Sequence, residues 1–263
     1  MEELILIKLG GSVITDKSRE YVARGENVSR LAGEIKEASG KFAGKFILGH
    51  GAGSFAHVPA AKYQTKKGLV NRDSLFGMSV TEEAARWLNS IVIKKFISEK
   101  LPVFSFSPAS FLISDRVVGS KSYLDPIKNA LSIGVIPVVY GDVIMDTKTG
   151  FTIFSTETIL SIIAQELLKD YKIRMIYCTD VDGVYDVNKK TIAKITPSNF
   201  EKAKKAILGA STVDVTGGML HKVEESLKLA KETGIETLII NGTRAGELTK
   251  AILGEANGTL ISS

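Results

Sequence analysis

The sequence predicts an α/β fold, a three-layer αβα sandwich around a mainly parallel central sheet. Three observations carry that prediction. Short apolar runs rich in Ile, Val, Phe and Tyr recur at residues 4–7, 46–48, 103–106, 136–140, 175–178 and 237–240, most of them without the alternation of a half-solvated strand. Between them, residues 27–38, 80–99, 122–133, 158–168 and 220–231 carry apolar side chains three and four apart, the period of a helix with one buried stripe. Strand alternating with helix makes successive strands parallel and covers both faces of the sheet.

Each element has a local reason. The first run lies in MEELILIKLGG, which opens on two acids and is broken by Lys8. A secretory leader would open on basic residues and end at a small-residue cleavage site, so this segment is read as the first strand. The second run leads into HGAGSFAH at residues 50–57, where two of the three histidines bracket a glycine-rich turn. The third run follows a long helical pattern, and the fourth ends in Gly141-Asp142. VIMDTKTGFTIF, residues 143–154, breaks the rhythm and reads as a β-hairpin turning at residues 147–150. The last two helical patterns flank the fifth and sixth runs. There is no internal repeat, low-complexity tract or Pro- or Ser-rich linker, so residues 1–263 are expected to form one domain.

Composition excludes several classes. With 44% hydrophobic and 24% charged residues, and no run of about eighteen apolar residues, a membrane span is not expected. Cys178 is the single cysteine, so no internal disulfide can form and the cytoplasm is the expected compartment. The net charge of +5 suggests anionic partners. Its lysines are scattered, without the arginine and aromatic interleaving of a nucleic-acid face, which points to small phosphorylated ligands and a lysine-rich solvated surface.

Ligands of open parallel sheets sit beyond the carboxyl ends of the strands, so the turns there are where chemistry is expected. Lys8-Leu9-Gly10-Gly11-Ser12 follows the first strand, HGAGSFAH the second, Thr179 to Tyr185 the fifth and Asn241-Gly242 the sixth. Two glycine turns at adjacent strand ends let backbone N–H groups approach an anion, and phosphate is the natural guest. Neither has the G-x-G-x-x-G dinucleotide spacing, and no P-loop occurs in the chain. Phosphoryl transfer needs cations around the migrating group, and Lys8, Lys17 and Lys222 all neighbour such turns.

Together these residues resemble the amino acid kinase superfamily and, within it, the isopentenyl phosphate kinase family. The likeness runs in order through KLGGSVITDK (8–17), HGAGSFAH (50–57), PVVYGDV (137–143), TDVDGVY (179–185) and DVTGGMLHK (214–222). It implies the amino acid kinase fold, with an acceptor half of about 1–155 and a nucleotide half of about 156–263. It also implies transfer of the γ-phosphoryl group of ATP, with Mg2+, to isopentenyl phosphate, giving isopentenyl diphosphate for isoprenoid biosynthesis in a cytoplasmic homodimer. Carried over by position, Lys8 and Lys222 would hold the ATP phosphates, Lys17 would stabilise the transition state, and Glu157 would complete the catalytic set. Leu9, Gly10, Gly11, Ser12, Gly53, Thr179, Asp182 and Gly218 would complete the nucleotide site. Ala52, His57 and Thr156 would meet the acceptor, with His57 donating to its phosphate and charged beside that dianion. No residue is assigned as a metal ligand.

The chain departs from the family pattern at Ser155-Thr156-Glu157-Thr158, where Ser-Gly-Asp is usual. Glu157 would orient the two lysines with a longer reach, while Thr156 would crowd the backbone approach to the acceptor phosphate and offer a hydroxyl in exchange. Phe76, Met78, Val80 and Trp87 are candidates for an apolar tail pocket. The alternatives are another small-molecule kinase, acting on glutamate, uridine monophosphate or a phosphonate, and a non-catalytic regulatory module. Retention of all three lysines favours an enzyme, because a sensor has no transition-state charge to stabilise. A nicotinamide-dependent oxidoreductase is disfavoured by the missing fingerprint.

Overall fold

The computed structural model describes residues 1–115, 119–209 and 218–263. The chain runs β1 (Glu2–Leu9), α1 (Gly11–Ile14), α2 (Gly25–Ser39), β2 (Lys45–His50), α3 (Gly53–Lys62), α4 (Ser74–Ser98) and β3 (Val103–Ser105). It continues through β4 (Leu112–Asp115), β5 (Gly119–Ser122), α5 (Asp125–Ser132), β6 (Ile136–Tyr140), β7 (Asp142–Asp146), β8 (Gly150–Phe154) and α6 (Thr156–Leu167). It ends with β9 (Tyr171–Thr179), β10 (Lys194–Ile195), α7 (Phe200–Gly209), α8 (Gly218–Thr233), β11 (Glu236–Asn241), α9 (Glu247–Leu253) and β12 (Thr259–Ile261).

Eight strands form one sheet in the order β10-β12-β11-β9-β1-β2-β6-β3. All neighbours are parallel except β11 and β12. β1 is central, with Leu6 opposite Ile47 of β2 and Met175 of β9. Its side chains alternate between two cores, as a strand period of two requires. Leu4 and Leu6 pack with Ile159 and Ile163 of α6 and Val223 and Leu227 of α8. Ile5, Ile7 and Leu9 pack with Leu31 and Ile35 of α2, Leu88 and Val92 of α4, and Ile252 of α9. The predicted three-layer αβα sandwich is therefore the observed one.

The hairpin at residues 143–154 is present as β7 and β8, paired from Asp142–Phe154 to Asp146–Gly150. It belongs to a second sheet of order β5-β4-β7-β8, which the sequence reading did not contain. The helical pattern at 122–133 begins later than expected. Ser122 pairs with Leu112 in β5, and α5 starts at Asp125-Pro126, where proline is pre-set for a first turn. The pattern at 80–99 begins earlier, at Ser74. Among the described residues no helix is long and apolar enough to cross a membrane.

Candidate active site

At the carboxyl ends of β1 and β2 the two glycine turns press backbone against backbone. A Cβ on Gly11 would stand 2.7 Å from the Gly53 Cα, and one on Gly51 2.9 Å from the Gly11 nitrogen. Gly53 also has φ +51°, the left-handed region that favours glycine. Of the expected phosphate donors, the Gly10 amide is already committed to the Cys178 carbonyl at 2.9 Å. Gly11 and Ser12 open α1, where the first amides have no intrahelical acceptor. Leu9 is core, and its carbonyl accepts the Gly51 amide at 2.9 Å.

Above these turns sits a compact charge cluster. Lys8, near the end of β1, is only 5% exposed and its ammonium is ion-paired with Glu157 Oε1. Lys222 Nζ lies 3.9 Å from the same oxygen and donates to the Gly218 carbonyl at 2.8 Å. Ser155 caps α6 by accepting the Thr158 amide at 3.2 Å, which sets Glu157 in the first turn. Burial would raise the Glu157 pKa, but the two ammoniums outweigh it and hold it at about 2. One carboxylate thus faces both lysines.

Lys17 follows α1, with Nζ 3.9 Å from Asp180 Oδ2. Asp180 Oδ1 accepts the Ser12 hydroxyl at 2.9 Å. The Thr179 hydroxyl donates to the carbonyls of Val181 (2.9 Å) and Ile240 (3.1 Å), closing the turn after β9. Asp182 is turned to the neighbouring strand end instead, pairing with Arg244 at 2.7 Å and accepting from Asn241 at 2.8 Å. It does not line the cleft, whereas Thr179, Asp180, Val181 and Gly183 do. Gly218 opens α8. Residues 214–217 of the DVTGG motif lie outside the described residues.

The two histidines differ in kind. His50 is buried, stacked on Tyr140 with centroids 5.5 Å apart, and its Nε2 pairs with Asn89 Oδ1 at 3.2 Å. His57, on α3, is exposed to the cleft. Its pKa is lowered, first by partial desolvation and then by Lys8, Lys17 and Lys222 against the opposing Glu157. The protein alone therefore favours a neutral imidazole, and the charged form expected of it needs an anion among those lysines. Ala52 stands just before α3 and lines the same cleft.

Thr156 is buried, and its hydroxyl donates to the His50 carbonyl at 2.7 Å rather than standing free. Its methyl packs over Gly49, where a Cβ would lie 2.7 Å away. The cleft measures about 1120 Å³ and brings together Lys8, Gly11, Lys17, His57, Glu157 and Lys222. From α4 it is lined by Thr81 and Ala85. The suggested tail residues face elsewhere: Trp87 stacks on Tyr21 and Phe76 is exposed against Tyr63, while Met78 and Val80 do not reach the cleft wall. Helical spacing is the reason, since the i,i+4 stripe of small residues faces inward and the large ones fall on other sides.

Two acids escaped the sequence reading. Asp180 carried the available signal of a charge directly after a strand end. Asp142 is buried in the cleft wall, and burial pushes it up to about 7 against the Val143 amide, which donates to it at 2.8 Å.

The sequence model of the amino acid kinase family matches residues 3–241. The isopentenyl phosphate kinase of Methanocaldococcus jannaschii is 35% identical over 268 residues, covering 98% of each chain. That of Methanothermobacter thermautotrophicus is 35% identical over 272 residues, covering 98% of this chain and 99% of its own. A crystal structure of an isopentenyl phosphate kinase superposes with TM-score 0.84 at 32% identity, over 99% of this chain and 100% of that one. Fold and site together define an ATP-dependent phosphotransferase, and the chain belongs to the amino acid kinase family. Within that family it stands with the isopentenyl phosphate kinases.

Proposed function

We propose that this protein transfers the γ-phosphoryl group of ATP to isopentenyl phosphate, giving isopentenyl diphosphate. The observation that carries the reading is the convergence of Lys8, Lys17 and Lys222 on one cleft with His57 within their electrostatic reach. In-line transfer needs cations placed in advance where negative charge builds up. Lys8 and Lys222, fixed by Glu157, meet the phosphates of the donor, and Lys17 meets the group in flight. The backbone at Gly11, Ser12 and Gly53 lies close against the triphosphate. His57 and Ala52 take the acceptor phosphate, and the tail lies toward Thr81 and Ala85.

Residues 1–155 supply the acceptor half and 156–263 the nucleotide half of a single domain, a reading supported by the continuous eight-stranded sheet. Mg2+ accompanies ATP. Among the described residues no three His, Cys, Asp or Glu side chains converge to hold a metal, so the ion fits best on the nucleotide's own phosphate oxygens with water completing its shell. A cytoplasmic homodimer completes the proposal.

The test is ADP release from purified protein with ATP and magnesium, offered isopentenyl phosphate, glutamate or uridine monophosphate in turn. Isopentenyl phosphate should give by far the highest kcat/KM; parity with either other acceptor overturns the reading. In the same assay His57→Ala should raise the acceptor KM while ATP affinity stays within about twofold.

A further inference from the structure

Lys17 is not held in place by its own segment. Its side chain is 63% exposed, and its neighbour Asp16 is occupied by the Ser18 amide (2.9 Å) and hydroxyl (2.7 Å) and by Arg19 (2.9 Å). The backbone beside it is pinned, with the Thr15 hydroxyl donating to the Gly11 carbonyl at 2.7 Å and the Asp16 amide to Val22 at 2.9 Å. The four-carbon stem beyond remains a flexible arm carrying a point charge. Among the described residues the carboxylate within ion-pair range of that charge is Asp180, which reaches it from the turn after β9 in the second half of the sequence.

Asp180 is doubly placed. One oxygen accepts the Ser12 hydroxyl at 2.9 Å, tying the turn after β9 to the glycine turn after β1. The other faces Lys17 at 3.9 Å. A carboxylate in a cleft built for a polyanion is adverse by charge alone, so its presence there calls for a compensating function. We propose that Asp180 is a positioning residue, which through its two oxygens holds the Lys17 ammonium in register with the glycine turn. This role rests on the catalytic reading of Lys17 given above.

The two consequences of the carboxylate have opposite signs, which makes them separable. If Asp180 only contributed repulsion, Asp180→Asn would tighten ATP and leave or raise kcat. If it positions Lys17, the same change lowers kcat, because the transition-state cation is no longer steered. The pair is half-exposed and of a kind that contributes little to stability, so the melting temperature should not move in either case.

The experiment is a double-mutant cycle of Asp180→Asn and Lys17→Met, measured under single-turnover conditions with enzyme in excess so that small residual rates are readable. Asp180→Asn alone should reduce the rate by about tenfold or more, with acceptor KM unchanged and ATP affinity equal or tighter. In the Lys17→Met background it should cause no further loss, and Asp180→Glu should recover part of the rate. An undiminished rate in Asp180→Asn overturns the proposal. So does a loss that multiplies with that of Lys17→Met, or one abolished by raising magnesium, which would make the carboxylate a cation ligand. Unaltered turnover in Lys17→Met overturns the reading of Lys17 itself, a distinct result from any of these.

Discussion

Glu157 and Asp142 are both buried carboxyls lining one cleft, and their surroundings drive them in opposite directions. Glu157 is held at about 2, below its ordinary 4.5, by Lys8 and Lys222 against the cost of burial. Its contribution to stability is therefore present above pH 4.5 and lost as pH falls toward 2. Asp142 is pushed from 3.8 to about 7, chiefly by burial, with Glu82 adding to the rise and Ser107 and Arg86 opposing it. Folding favours its protonated form, so its contribution is full below pH 3.8 and is lost as pH rises through 7. Denaturant unfolding across pH should thus separate two variants. Glu157→Gln, which strands a buried ammonium, should cost about 3–5 kcal/mol at neutral pH, with the deficit narrowing below pH 4.5. Asp142→Asn should stabilise by on the order of 2–4 kcal/mol above pH 7 and change nothing near pH 3.5. A pH-independent effect in either variant contradicts the stated cause. Only one of these acids was legible in the sequence. Glu157 stood in a recognisable motif near the residue that caps its helix, whereas the state of Asp142 depends on Glu82, Arg86 and Ser107, which only tertiary packing brings near it. The same holds for the Thr156 hydroxyl, whose acceptor at His50 lies on a distant strand.

At the scale of elements, the two glycine turns act as one unit because their backbones touch. A methyl on Gly11 cannot be absorbed by side-chain movement, since what it meets is the Gly53 backbone at 2.7–2.8 Å. Gly11→Ala should therefore force α1 and α3 apart, costing about 1–3 kcal/mol of stability. It should lower kcat/KM by about 100-fold, as an ångström-scale displacement of positioned groups does. Thermal unfolding and steady-state kinetics on the one variant check both; a fall in stability alone would separate the turn contact from the chemistry. β1 and β2, which carry these turns, could be read from sequence because their apolar runs are buried on both faces, whereas α1, four residues long, and α3, which opens within the glycine turn, gave no helical pattern to read. β4 and β5 could not be read either. β5 is Gly-Ser-Lys-Ser, with no apolar pattern at all, and it exists because its backbone pairs with β4. The inward face of α4 was misjudged for a related reason: the sequence marks its large residues, while the cleft needed small ones, Thr81 and Ala85, to leave room.

Across the whole molecule the cleft is assembled from distant parts of the chain, Lys8 and Lys17 from its first strand and turn and Glu157, Asp180 and Lys222 from its second half. Lys8, Lys17, Arg19, Lys66 and Lys222 line it against Glu20, Asp142, Glu157 and Asp180, so with every acid ionised five cations meet four carboxylates and leave one net positive charge, less than is needed to balance a nucleoside triphosphate. The remaining balance has to come with the ligand, and under the proposed function a divalent ion on the phosphates would supply it. This fixes where magnesium should matter. Chelation should leave the melting temperature of the protein alone unchanged, because among the described residues no side-chain cluster holds a metal. It should sharply reduce the stabilisation by ATP and abolish turnover. With magnesium present, ATP at about 100 times its Kd should stabilise by about 2.7 kcal/mol, a rise in Tm of roughly 5–10 °C for a chain of this size. Thermal denaturation with and without chelator, at several ATP concentrations, measures all of these shifts. A fall in Tm on chelation without nucleotide would mean that the protein's own side chains bind the ion, and the charge balance of the cleft would then have to be redrawn around it.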